Sequence, residues 1–73
     1  MKSSSGQKVI LTGLPPGFAD DLPNEDQRAL LQAVGKAATL NGYDEDGRAE
    51  LEFKDRDGIF HTIWVDPKFT RAY

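Results

Sequence analysis

From Arg48 to Lys54 the chain alternates without a fault. Ala49, Leu51 and Phe53 fall on one side, and Arg48, Glu50, Glu52 and Lys54 on the other. That period of two predicts a strand with one buried face. The same reading gives a short strand over "KVILTG", with Val9 and Leu11 sharing a face, and further strands over "KAATLNGY", "IFHTIWV" and "FTRAY". Asp-x-Asp-Gly segments at Asp44–Gly47 and Asp55–Gly58 separate three of them, and Asp-Gly supplies the positive φ that tight hairpins need. Regularly spaced short strands with turn signals between them predict a meander that curls into a sandwich or barrel.

One segment has a different period. "NEDQRALLQAVGK" predicts a helix over residues 25–34, with Asn24 as cap, Gln27 reaching back, Glu25 and Asp26 at the positive end of the dipole and Gly35 as the stop. Leu30, Leu31 and Val34 are the expected apolar stripe, with Gln27 at its edge. Before it, "PPGFADDLP" reads as a long loop, because Pro15 and Pro16 bar a continued ladder. Phe18 and Leu22 are its expected anchors. "MKSSSGQ", residues 1–7, is polar and aperiodic and is expected to be a disordered arm in front of one domain over residues 8–73.

How "DGIFHTIWVDPKF" is used depends on register. A type I turn over Asp55–Gly58, with Gly58 as bulge, pairs 53 with 61, 51 with 63 and 49 with 65. Ala49, Leu51, Ile63 and Val65 then enter the core, His61 lies beside Phe53, and Phe60, Thr62 and Trp64 share the opposite face with Glu50, Glu52 and Lys54. A two-residue Asp57-Gly58 turn would exchange the faces. The first register buries the β-branched pair Ile63 and Val65 and is preferred.

Size and composition narrow the function classes. A chain of 73 residues makes one domain with a small margin of stability. It has no cysteine, so a disulfide framework, a thiolate metal site and a cysteine nucleophile are excluded. No apolar run is long enough to cross a bilayer and no secretory leader is legible, which leads us to expect a cytoplasmic protein. Net charge is −3 with acids and bases interleaved, the opposite of a basic nucleic-acid patch.

Motifs that could carry chemistry are thin. His61 is the single imidazole, and a general base needs an oriented partner and a nucleophile within reach. Ser3, Ser4 and Ser5 lie in the expected arm. The Asp-x-Asp-Gly turns do not place carboxylates and a glutamate at calcium-loop positions. "LTGLPPG" lacks the Lys-Ser/Thr pair of a phosphate loop. We expect no catalytic residue, no metal and no cofactor.

From Lys36 to Tyr73, the order of strand, "YDEDG" turn, strand, tight turn, strand, one-turn "VDPKF" link and short closing strand resembles an SH3-like small barrel, with "KVILTG" as its first strand. The segments "LPPGF", "LPNEDQ", "VGK", "GYDEDGRAELEF" and "HTIWVDP" also resemble short bacterial proteins of uncharacterised function. The resemblance implies a mainly β fold with one short helix, an SH3-like barrel of four or five antiparallel strands. It implies little about function, since such barrels host peptide, methyl-lysine and nucleic-acid binders alike. The double tryptophan of proline-groove SH3 domains and the aromatic cage of Tudor readers are not matched, so no binding residue carries over.

Two function classes remain in front. In an interaction module, Trp64 and Phe60, with Tyr43 near them, form an aromatic strip that receives a protein or peptide. In a structural or accessory domain, the helix stripe covers that strip. Nucleic-acid binding is a third reading, from fold analogy, opposed by charge. The charge pattern predicts that micromolar protein gives no salt-sensitive mobility shift of a generic DNA or RNA duplex at physiological salt. A clear shift would point to a patch of Lys36, Arg48, Lys68 and Arg71 assembled by folding.

Overall fold

The structure is a computed structural model describing residues 6–73. Its elements are β1 (Gln7–Leu11), α1 (Asn24–Ala33), β2 (Ala37–Tyr43), β3 (Ala49–Lys54), β4 (Phe60–Val65), a single 3-10 turn (Pro67–Phe69) and β5 (Thr70–Ala72). The five strands form one antiparallel sheet in the order β4-β3-β2-β1-β5. The sheet is open. β4 and β5 are its two edges and do not pair, so the expected closure into a barrel is absent among the described residues. One face is covered by α1 and the loop before it, the other by solvent, which is the usual arrangement of an antiparallel sheet. The arm expected over residues 1–7 lies outside the described residues up to residue 5; Gly6 N–H donates to Leu40 O, and Gln7 already belongs to β1.

The β3–β4 register follows the bulged turn. Ala49 pairs with Val65, Leu51 with Ile63 and Phe53 with His61. Asp55 N–H donates to Ile59 O at 2.9 Å and Gly58 N–H to Asp55 O at 3.0 Å. Gly58 has φ of 82°, a value that only glycine adopts without strain. The β2–β3 turn repeats this geometry, with Asp44 N–H bonded to Arg48 O and Gly47 N–H to Asp44 O. All the sheet residues of the core therefore lie on one face: Val9, Leu11, Ala38, Leu40, Ala49, Leu51, Phe53, Ile63 and Val65.

The helix closes that core with a different stripe from the one expected. Ala29, Leu30 and Ala33 are buried, whereas Leu31 is 69% exposed. Spacing explains the difference. Residues 26, 29, 30 and 33 form one helical face, and Ala29, Leu30 and Ala33 on it belong to the buried core. Val34 lies one residue past the helix in extended conformation and is half-buried. The cap also differs. Pro23 occupies the N-cap with no side-chain bond, Asn24 is the first helical residue, and the Gln27 amide reaches back to Leu22 O at 2.9 Å. Phe18 and Leu22 do anchor the loop, packed against the core together with Leu14 and Ala19.

Since Ile63 is a core residue of β4 and Trp64 faces the other way, their alanine variants should separate. Ile63→Ala should lose about 2–5 kcal/mol in urea unfolding, and Trp64→Ala, from a site 42% exposed, about 1 kcal/mol or less. A larger loss at Trp64 than at Ile63 would contradict the burial assigned to the two faces.

Candidate functional site

The three aromatic candidates are all exposed: Phe60 by 62%, Tyr43 by 59% and Trp64 by 42%. Only two of them share a face. Phe60 pairs with Lys54 and Trp64 with Glu50, on the solvent side of the sheet, with Thr62 opposite Glu52 between them. Tyr43 pairs with Ala49 and so stands on the core side, at the end of β2. The expected strip therefore loses Tyr43. The cause is a bulge in β2 between Leu40 and Gly42, which inserts Asn41 and reverses the alternation beyond it. The Asn41 amide bridges the two glutamates of β3, donating to Glu52 Oε1 at 3.1 Å and to Glu50 Oε2 at 3.4 Å.

Phe60 and Trp64 are about 13 Å apart along the strand, four residues at the usual rise, so they are not one continuous apolar patch. Lys54 Nζ lies over the Phe60 ring, 5.1 Å from its centre. What joins the two aromatics is the backbone of β4. Residues 55 and 59 are hydrogen-bonded partners, so the ladder alternation makes 53/61, 51/63 and 49/65 the bonded pairs. The N–H and C=O groups of Phe60, Thr62 and Trp64 then point away from β3, along an edge to which no other strand is paired among the described residues.

Beside that edge, on the core side, runs a groove of about 380 Å³ lined by Phe18, Leu22, Leu30 and Ile63, with Thr62 and Trp64 at its rim. Asp26 and His61 line it too, and so does Arg48, whose guanidinium Nε donates to Asp44 Oδ2 at 2.8 Å. The groove exists because the loop carries Phe18 and Leu22 over the sheet while Ile63, turned inward on an edge strand, has no neighbouring strand to cover its flank.

His61 ties this edge to the rest of the fold. Its ring stacks on Phe53 with centres 5.3 Å apart. Its Nε2 donates to Asp55 Oδ2 at 2.8 Å, and its Nδ1 faces Asp26 Oδ1 at 3.7 Å. An imidazole held by a carboxylate resembles half of a catalytic triad, but the position a nucleophile would occupy is taken by the Asp26 carboxylate. The cluster is a clamp between β4, the β3–β4 turn and the first turn of α1. Asp55 also accepts from Asp57 N–H and Ile59 N–H on its other oxygen, as Asp44 does from Asp46 and Arg48 in the sister turn. These carboxylates serve the turns, and among the described residues no group of three or more His, Cys, Asp or Glu side chains is placed to hold a metal ion.

The sequence reading missed the Asp55–His61 pair. The signal was present: once residues 53 and 61 pair, 55 and 61 are diagonal neighbours on one face. It also missed the groove, which depends on β4 being an edge. Comparison with known proteins returns no similarity to lean on: no protein-family model, no curated protein and no solved structure matches the chain.

The Asp55 carboxyl is held below its ordinary 3.8, first by the His61 hydrogen bond and then by the Ile59 N–H, with desolvation acting upward and the Asp57 N–H adding a weaker downward pull. Asp44 is lowered as well: desolvation pushes it up, and the Arg48 N–H, the Arg48 guanidinium and the Asp46 N–H together outweigh that push. A carboxyl that titrates lower when folded contributes stability that is complete above its unfolded pKa and is lost as pH falls through the folded value. Asp55→Asn should therefore be less stable than wild type at neutral pH, and the gap should close on acidification below about pH 4. Urea unfolding across pH 2–7 would show it; a gap that does not change with pH would leave Asp55 with no electrostatic role.

Proposed function

We propose that this chain is a non-catalytic interaction domain of SH3-like architecture that binds an extended protein segment along β4. One observation carries the reading: among the described residues, β4 presents an unpaired backbone edge directly beside an apolar groove. A segment laid there would form a further strand, bonded to the N–H and C=O groups of Phe60, Thr62 and Trp64. Its alternate side chains would enter the groove between Leu22, Leu30 and Ile63. Trp64, at the rim, would supply the aromatic anchor. The cysteine-free sequence is compatible with a cytoplasmic setting.

The SH3-like reading is supported by the sheet order, in which β1 lies between β2 and β5, and by the single 3-10 turn linking β4 to β5. The interaction reading is favoured over an accessory domain with a covered strip, since α1 packs on the core face through Ala29, Leu30 and Ala33 and leaves Trp64 exposed. Arg48, which lines the groove with Trp64, is already engaged by Asp44 and Asp46, which disfavours a phosphate-backbone partner.

Selection from a library of extended peptides tests the proposal. Selected peptides should slow exchange of the Phe60, Thr62 and Trp64 amides, shift the tryptophan emission and lose at least about tenfold in affinity, about 1.4 kcal/mol, with Trp64→Ala. A library that yields no binder, or binders that leave the β4 amides unprotected, would overturn it.

A further inference from the structure

The two edges of the sheet are treated differently. β5 has three residues and carries Arg71, short and charged as protected edges usually are. β4 has six residues, Phe-His-Thr-Ile-Trp-Val, with no lysine, arginine, acid, proline or glycine, and its pairing to β3 runs without a bulge. An edge so regular and uncharged invites another strand. Resting on the reading that β4 receives one, we propose that the strand is β4 of a second copy, paired antiparallel across a two-fold axis at Thr62.

A two-fold contact requires a surface that complements itself, residue i of one copy meeting residue j of the other while j meets i. β4 meets that requirement. Its solvent face carries aromatic, threonine, aromatic (Phe60, Thr62, Trp64), and the outward backbone groups belong to the same three residues. Antiparallel pairing centred on Thr62 places Phe60 opposite the second copy's Trp64, Thr62 opposite its own counterpart, and Trp64 opposite the second copy's Phe60. Each outward N–H and C=O finds a partner, and two aromatic cross-strand pairs form where single exposed rings stood.

The charges agree with this direction. On β3, Lys54 flanks Phe60 and Glu50 flanks Trp64, so antiparallel pairing puts the lysine of one copy and the glutamate of the other in one cross-strand row, about 14 Å apart with the two rings between them. The axis is normal to the sheet, which keeps both helices on one side. Ile63 of each copy then lies opposite His61 of the other, and the two grooves face each other across the axis.

Sedimentation equilibrium on wild type, Thr62→Lys, Thr62→Glu and an equimolar mixture of the variants tests the axis, with circular dichroism to confirm folding. Wild type should approach twice the monomer mass as concentration rises. Each variant alone, with like charges opposed at the axis, should weaken association at least about tenfold, the equivalent of about 1.4 kcal/mol. The mixture should restore it, because only a residue that opposes its own counterpart is rescued by opposite charges. Should Thr62→Glu fold poorly beside Glu52, concentration-dependent protection of the wild-type Thr62 amide gives the same answer. Wild type that remains monomeric at about 1 mM, far above a micromolar dissociation constant, or variants that associate like wild type, would overturn the second copy. If selected peptides still protect the β4 edge in a monomeric protein, only the identity of the partner falls. If neither peptide nor self-association protects it, the edge reading falls with it.

Discussion

The Asp55 turn decides what every residue of β4 does. One carboxylate accepts the N–H groups of Asp57 and Ile59 on Oδ1 and the imidazole of His61 on Oδ2, so a single side chain fixes both the turn and the ring two residues into the next strand. A slip of one residue there would exchange the faces of β4, turning Trp64 and Thr62 inward and Ile63 and Val65 outward. The register also determines which backbone groups are consumed by β3 and which are left at the edge. Core, solvent face and free edge are three consequences of one set of hydrogen bonds.

The inner layer responds to the same constraint. With Leu51, Ile63 and Val65 pointing inward, the sheet needs a cover, and a helix of 10 residues is too short to provide all of it. The loop supplies the remainder through Leu14, Phe18, Ala19 and Leu22. Division of the cover between a helix and a loop leaves a seam where they meet the last strand. That seam is the groove beside β4.

Most of the strand boundaries were legible in the sequence, since alternation and the Asp-x-Asp-Gly turns are local signals. So was the β3–β4 register, because one choice buries the β-branched pair Ile63 and Val65 and the other turns them out to solvent. The misplaced elements have non-local causes. Leu31 looked apolar enough for the stripe, but the helix face is chosen by the sheet, which accepts the small Ala29 and Ala33. Tyr43 was expected near the other aromatics, but the bulge at Asn41 shifts the alternation of β2 and sets it on the core side. The barrel reading assumed that short strands in series close on themselves, whereas here α1 and the loop occupy the inner face and β4 and β5 remain apart. Of the candidate site, Trp64 and Phe60 could be singled out as residues; that they lie on an edge could not, because strand order is a property of the whole sheet.

That distinction changes what the aromatics mean. Two exposed rings about 13 Å apart, one of them under a lysine, form a weak patch and would be ordinary on a solvated sheet face. Joined by a strand whose alternate N–H and C=O groups have no strand partner among the described residues, they become, in the proposed function, the ends of a recognition element whose directional part is the backbone. In that proposal the backbone edge would give a partner its direction and spacing, the groove would select side chains on one flank, and Trp64 and Phe60 would meet them on the other. Asp55 and His61 hold that edge straight from within the fold, although neither offers a backbone group to a strand added there.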